Sequence, residues 1–186
     1  MHTTLNQIKS HRPCTEGWQT LLNALGKTKA DDEPLPLSFI LKSNGLEDAI
    51  WSLRCLQGAD KEIRLFAVDC VRQVQNLMYD ARSLAALDMA EKFANGQATY
   101  EELNTAWTMA RDAANATGTP TWTKTRHAAD AARNATARDA ADAAWDAAAA
   151  ARNAARDAAW NAARTKQGEL FQKYFGNPNS STSAIS

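Results

Sequence analysis

The side chains that could perform acid–base or metal chemistry are few in this chain and lie far apart. They are the histidines His2, His11 and His127 and the cysteines Cys14, Cys55 and Cys70. A metal needs several such ligands, and a general base needs the group it serves within hydrogen-bond reach. The spacing provides neither a C-x-x-C motif nor a close histidine pair, so we expect no metal site, no cofactor and no catalytic residue.

Sequence motifs for phosphate binding and nucleophilic catalysis are also absent. The chain contains no Walker loop, no dinucleotide glycine fingerprint, no G-x-S-x-G elbow and no H-E-x-x-H pair. The acidic run Asp31, Asp32 and Glu33 does not have the spacing of a calcium loop. We therefore predict that this protein is not an enzyme and that it acts through contacts with a partner.

The charge balance limits the class of partner that we expect, and the cysteines indicate the cellular compartment. The chain carries 21 Lys and Arg against 21 Asp and Glu, so no net field favours a nucleic-acid partner. Three scattered cysteines indicate no disulfide framework, which makes the reducing cytoplasm the expected compartment. No segment reaches the roughly 20 apolar residues that a membrane-spanning helix needs. We expect neither nucleic acid nor a membrane as partner.

The elements that would position any site are helices, and we predict an all-α fold with a helical bundle domain over residues 1–116. In residues 1–34 the spacing predicts one clear helix, which ends at Gly26, and Lys27 to Pro36 is typical of a loop. No alternating strand pattern competes. The clearest helical stripe follows Asp60, a candidate N-cap. It consists of Ile63, Ala67, Cys70, Val71, Val74, Leu77 and Met78.

Turn and cap residues divide the bundle into five or six helices with short connections. Asn44-Gly45 and Asn95-Gly96 are pairs suited to the left-handed backbone at the end of a helix. Thr99 and Glu102 have the spacing of a capping box, in which each residue satisfies a backbone amide of the other. A further helix should therefore begin directly after Thr99.

Residues 117–176 differ in composition and are predicted to form a long Ala-rich helix. Alanine, the strongest helix former, fills 21 of the 40 positions from Arg126 to Thr165. We expect this helix to run to about Gln167 and then to be followed by a short apolar C-terminal cluster that can dock onto a core. The cluster is Leu170, Phe171, Tyr174 and Phe175. The helix either projects from the bundle or folds back along it, and residues 177–186 are predicted to be disordered.

One side of the predicted Ala-rich helix is smooth, and we call it the alanine face. At about 100° per residue it contains Ala137, Ala141, Ala144, Ala148, Ala151, Ala155, Ala159 and Ala162. Small side chains allow another helix to approach closely. Arginines gather on one flank of this face and aspartates on the other. The predicted partner-binding residues are Trp145, Ala151, Arg152, Arg156 and Trp160.

Two blocks of the sequence carry a family resemblance. GLEDAIWSLRCL and EIRLFAVDCVRQVQNLMYDARSLAALDMAEKFANG, followed by the tract rich in Ala, Arg, Asp and Trp, resemble a family of bacterial and phage proteins catalogued as immunity proteins. The resemblance covers about residues 14–116 at motif level, and the Ala-rich tract agrees in composition. It implies neutralisation of a toxin or another effector by direct binding, and it brings no catalytic residues.

Two functions remain open on this evidence. In the first, the protein is a small cytoplasmic inhibitor, either an immunity protein or a phage-encoded factor that binds a host defence effector. In the second, it is a structural or assembly protein that oligomerises through the Ala-rich helix, for example within a phage particle. Both predict a protein partner, which is a different protein in the first case and another copy of this chain in the second.

Overall fold

The computed structural model describes residues 1–73, 75, 81–117 and 158–176, with side chains described throughout these ranges except at 113–117 and 158–160. The described residues are mostly helical, which confirms the all-α fold. They form eight α-helices: α1 Leu5–Ser10, α2 Thr15–Leu25, α3 Leu37–Asn44, α4 Leu46–Ser52, α5 Asp60–Arg72, α6 Ala81–Ala94, α7 Tyr100–Thr117 and α8 Ala158–Phe175. A 3-10 turn, Leu53–Cys55, extends α4.

The N-terminal region has more structure than its sequence pattern predicts. The one clear helix predicted in residues 1–34, ending at Gly26, is confirmed as α2. Helix α1 forms ahead of it without having been predicted and is capped by the Thr4 hydroxyl, which accepts a hydrogen bond from the Gln7 amide at 3.1 Å. Two apolar residues are too few to show a helical period. Leu5 and Ile8 are nevertheless buried, at 1% and 3% exposure, so tertiary packing stabilises this short helix.

A minimal antiparallel pair of strands was also not expected from the sequence. Strand β1, His2–Thr3, pairs with β2, Leu35–Pro36, which closes the predicted loop against the N-terminus. Each strand has two residues, so no alternating pattern can be read. This pairing holds the first residues of α3 close to the first residues of α1.

The helix ends predicted at Gly45 and Gly96 and the capping box predicted at Thr99 are confirmed. Gly45 and Gly96 have positive φ of 90° and 70° and follow α3 and α6, a conformation that costs glycine little. In the capping box the Thr99 amide donates to Glu102 at 2.7 Å, and the Glu102 amide donates to the Thr99 hydroxyl at 3.2 Å. These local signals fix where α3, α6 and α7 begin or end.

The best-defined stripe of the sequence lies on α5 and is buried as predicted. Ile63, Ala67 and Cys70 have no exposed surface and Val71 is 1% exposed. The prediction that Asp60 caps this helix is wrong. Ala59 occupies the cap position, and Asp60 is the first helical residue, where a carboxylate faces the positive end of the helix dipole. Val74, Leu77 and Met78 lie outside the described residues.

The C-terminal cluster docks into the centre of the bundle, which confirms its predicted role. Phe66 of α5 meets Phe171 and Phe175 of α8 with ring centroids 6.0 and 5.6 Å apart. All three rings are fully buried, and such edge-to-face contacts add to the free energy of burial. The core of the bundle is therefore completed by residues that follow the Ala-rich segment in the chain.

Polar contacts fix the orientation of α8 on the bundle. The Arg164 guanidinium makes a bidentate ion pair with Glu47 of α4, with one N···O distance of 2.7 Å. The Tyr174 hydroxyl donates to Asp69 of α5 at 2.7 Å, and the Lys173 ammonium lies 3.1 Å from the same carboxylate. Burial, together with this hydrogen bond to Asp69, raises the pKa of Tyr174. Helix α8 is thus held at both ends of its docking face.

The predicted end of the last helix near Gln167 is wrong, because α8 continues through Gly168 to Phe175. A glycine inside a helix costs about 1 kcal/mol relative to alanine. Gln167 is fully buried and Phe171, one turn later, is as well, so the packing of this stripe outweighs the glycine. Residues 118–157, which contain most of the predicted Ala-rich helix, and the predicted disordered tail 177–186 lie outside the described residues.

Replacement of Phe171 by alanine should destabilise the whole bundle. Removal of a fully buried phenylalanine ring typically costs about 3–5 kcal/mol. The exposed neighbour Gln172 provides a control, and Gln172→Ala should change the free energy of unfolding by less than about 0.5 kcal/mol. Urea unfolding of both variants, followed by circular dichroism, tests this. Equal stabilities for the two variants would show that α8 is not part of the core.

Candidate functional site

Most of the predicted partner-binding residues cannot be placed in the structure. Trp145, Ala151, Arg152 and Arg156 lie outside the described residues. Trp160 belongs to the first turn of α8, but its side chain is outside the described part. Of the alanine face, only the C-terminal end, on α8, therefore lies within the described residues.

On α8, the side that docks and the side that carries the alanine face are opposite. Arg164, Phe171 and Phe175 touch the bundle, and their helical positions lie about 180° from the centre of the alanine face at about 100° per residue. Ala162, the member of that face whose side chain the structure describes, is exposed. At this end, the alanine face points away from the bundle.

A second candidate site is a cavity between helices α1 to α4, which we call the tryptophan cavity. It has a volume of about 220 Å³. Its apolar walls include Ile8, Trp18, Leu21, Ile40 and Trp51. Engineered apolar cavities of about 150 Å³ accept benzene, so this space suits a planar group somewhat larger than a single six-membered ring.

Polar groups at one end of the tryptophan cavity are arranged around Gly17. The Asn44 amide donates both to the Gly17 carbonyl at 2.8 Å and to Asp48 Oδ2 at 2.9 Å. A Cβ on Gly17 would lie 2.6 Å from Asp48 Oδ2 and 3.2 Å from the Cys14 sulfur, so the absence of a side chain at Gly17 makes room for the carboxylate. Both N–H donors of Asn44 are used, which leaves Asp48 to present acceptor capacity to the cavity.

A second cavity, of about 280 Å³, is basic and is lined by Ser10, His11, Arg12 and Arg54. Arg12 has a φ of 55°, in the left-handed region that non-glycine residues rarely adopt. The Arg54 guanidinium lies 4.6 Å from the ring centroid of Trp51, and its Nε donates to the Trp51 carbonyl at 2.9 Å. Trp51 also lines the tryptophan cavity.

The three cysteines divide into one exposed thiol and two buried ones. Cys14 is exposed at the rim of the tryptophan cavity, where its sulfur accepts the Gly17 amide at 3.3 Å and caps α2. Cys55 and Cys70 are buried and belong to the core. Burial raises the pKa of Cys55 to about 12, although the nearby charge of Arg54 acts in the opposite direction.

The side chains that line the two cavities provide apolar surface, hydrogen-bonding groups and positive charge. Within the described ranges no group of three or more His, Cys, Asp and Glu residues is placed to hold a metal ion. In the same ranges no helix is both long and apolar enough to cross a bilayer. Sequence reasoning missed the cavities, since their walls come from four helices and no local motif marks them.

Comparison of the chain with protein-family models, with curated proteins and with solved structures finds no match. The resemblance to immunity proteins therefore stays a prediction.

Replacement of Gly17 by alanine should displace the Asp48 carboxylate with little loss of stability. Alanine inside a helix gains roughly 0.5–1 kcal/mol over glycine, which offsets the loss of about 1 kcal/mol from the Asn44 to Asp48 hydrogen bond. We expect an altered Asn44 side-chain amide resonance in NMR spectra and a free energy of unfolding within about 1 kcal/mol of the parent.

Gly26→Ala is the matched control for this substitution. No atom lies within 4 Å of a Cβ at Gly26, but its φ is 65°. Left-handed backbone costs a non-glycine residue roughly 1–2 kcal/mol, so this variant should be less stable and should leave the Asn44 resonance in place. If instead Gly17→Ala lost stability and left that resonance unchanged, the geometry around Asp48 would be wrong.

The native protein should react through one of its three thiols. Cys14 is exposed, whereas the Cys55 thiol is buried and its pKa of about 12 leaves almost no reactive thiolate at neutral pH. A thiol-exchange reagent that absorbs in the visible range should titrate one equivalent quickly and all three in denaturant. Fast reaction of a Cys14→Ser variant would contradict the burial of the other two.

Proposed function

We propose that this protein is a non-enzymatic, cytoplasmic inhibitor that neutralises a toxin or a host defence effector by direct binding, and that the alanine face is its contact surface. The observation that carries the proposal is the outward position of Ala162 on α8, opposite the docked rings. The charge balance of the whole chain and the resemblance to immunity proteins support a protein partner.

The Ala-rich segment is held by folded helices at both of its ends. Helix α7, which precedes it, packs on α6, and α8, which follows it, packs on α3, α4 and α5. A segment that is attached to folded helices at both ends suits a binding element better than a segment attached at one end only.

The decisive variants place a bulky ring on the alanine face and beside it. Ala162→Trp inserts a large side chain into the proposed contact, whereas Asn161→Trp adds the same side chain on α8 about 100° away. Both positions are exposed, so both variants should keep the stability of the parent within about 0.5 kcal/mol. Ala162→Trp should weaken partner binding at least about tenfold, and Asn161→Trp should not.

The measurement begins with affinity capture from the native host, followed by calorimetric titration of the purified partner. Ala151→Trp, on the predicted continuation of the face, should weaken binding as Ala162→Trp does, and Ala149→Trp, on the opposite side of the predicted helix, is its control. Partner affinities that are equal for all four variants would contradict the proposed surface.

The same outward face would also serve the second candidate function, assembly of identical chains. Small side chains allow close helix–helix approach, so a second copy is a possible occupant of the alanine face. Light scattering coupled to gel filtration separates the two functions. The inhibitor proposal requires a monomer or a dimer, and a large ring or filament that dissociates on Ala162→Trp would establish assembly instead.

A further inference from the structure

The tryptophan cavity has, by itself, the composition of a small-molecule site. Its walls are mainly apolar, and polar atoms gather around Gly17 at one end. Ligand sites in general combine apolar walls with a few polar groups that orient the ligand. Ile8, Leu21 and Ile40 belong both to these walls and to the buried core, so the packing of the bundle holds the walls in place.

The polar end of the cavity offers mainly hydrogen-bond acceptors. Both N–H donors of Asn44 are used, on the Gly17 carbonyl at 2.8 Å and on Asp48 Oδ2 at 2.9 Å. The Gly17 amide donates to the Cys14 sulfur at 3.3 Å, and the Ser52 hydroxyl donates to a backbone carbonyl of α4 at 2.7 Å. What remains is acceptor capacity, above all that of the Asp48 carboxylate. A ligand at this end must therefore supply the donors.

The charge at the polar end favours a cation. Among the described residues that line the cavity, Asp48 is the charged one, and within the described ranges it forms no ion pair with a basic side chain. The Arg54 guanidinium lies against Trp51 but is not among the groups that line the cavity. An ammonium group carries three N–H donors and one positive charge, so it can satisfy the carboxylate through a charge-assisted hydrogen bond.

The size of the cavity suits an aromatic ring with a short side chain. Its volume of about 220 Å³ exceeds that of an engineered apolar cavity of about 150 Å³ that holds benzene. Trp18 is part of the wall, and tryptophan rings pack against other rings and attract cations. Asp48 and Trp51 are three residues apart on α4, about 4.5 Å along the helix axis. A chain of two or three carbon atoms can therefore join a ring near Trp51 to an ammonium group at Asp48.

We propose that the tryptophan cavity binds a small primary amine that carries an aromatic ring, with the ring against the walls at Trp18 and Trp51 and the ammonium group on the Asp48 carboxylate. The absence of a side chain at Gly17 leaves room for that carboxylate. The cavity is lined by α1 to α4, whereas Ala162 of the alanine face lies on α8. The amine site can therefore fail without affecting the proposed function.

The test compares ligands that differ by one group, titrated into the full chain by calorimetry. Phenethylamine should bind at least about tenfold more tightly than 2-phenylethanol, in which a neutral hydroxyl replaces the ammonium, because a charge-assisted hydrogen bond is stronger than a neutral one. Butylamine, which lacks the ring, should also bind at least about tenfold more weakly than phenethylamine, because it buries less apolar surface. The anion 3-phenylpropionate should not bind. In NMR spectra the indole resonances of Trp18 and Trp51 should move on titration with phenethylamine.

Variants of the protein assign the ammonium group to Asp48. Asp48→Asn removes the charge but keeps the shape and an acceptor for Asn44, so it should weaken binding of phenethylamine at least about tenfold and leave the affinity for 2-phenylethanol unchanged. Glu16→Gln removes the same charge at an exposed position of α2 that does not line the cavity, and it should have no effect on either ligand. Both variants should keep the urea midpoint of the parent, which shows that the fold is intact.

Several results would overturn the amine site. These are no saturation by phenethylamine at millimolar concentration, equal affinity for phenethylamine and 2-phenylethanol, an unchanged phenethylamine affinity in the folded Asp48→Asn variant, or resonance changes confined to other tryptophans. Tighter binding of a peptide that begins with phenylalanine than of phenethylamine would assign the cavity to the end of a polypeptide and would equally reject the proposal.

Discussion

The contact of Phe66 with Phe171 and Phe175 is the interaction on which the rest of the structure depends. It joins α5, the best-defined core helix, to α8, which follows about 40 residues that the structure does not describe. Three buried rings contribute several kcal/mol, a large share of the stability of a domain of this size. The Glu47–Arg164 and Asp69–Tyr174 contacts fix how α8 is rotated about its axis against the bundle. They fix which side of α8 faces inward and therefore which side faces out.

The orientation of α8 is a consequence of that contact. On α8, the inward position of the rings places Ala162 on the outside. Helices α1 to α4 line the tryptophan cavity, and the absence of a side chain at Gly17 of α2 leaves room for Asp48 of α4. The described helices thus present an exposed side of α8 that carries Ala162 and a concave surface between α1 and α4.

Local chemistry explains what could be predicted from the sequence. The capping box at Thr99, the glycines after α3 and α6, the stripe on α5 and the apolar spacing of Phe171 and Phe175 can each be recognised within a few helical turns of sequence. Helix α1 and the passage of α8 through Gly168 could not be predicted in this way, because long-range burial of Ile8 and Gln167 stabilises them. The cavities escaped prediction for the same reason, since residues far apart in the sequence form their walls.

Native-state hydrogen exchange measures the central contact most directly. If α8 is part of the core, the backbone amides around Phe171 should exchange with the same free energy as those around Phe66, and both should match the free energy of global unfolding. Exchange of the Phe171 amides through a local opening, with a free energy several kcal/mol below that of Phe66, would contradict the docking of α8 and with it the outward orientation of the alanine face.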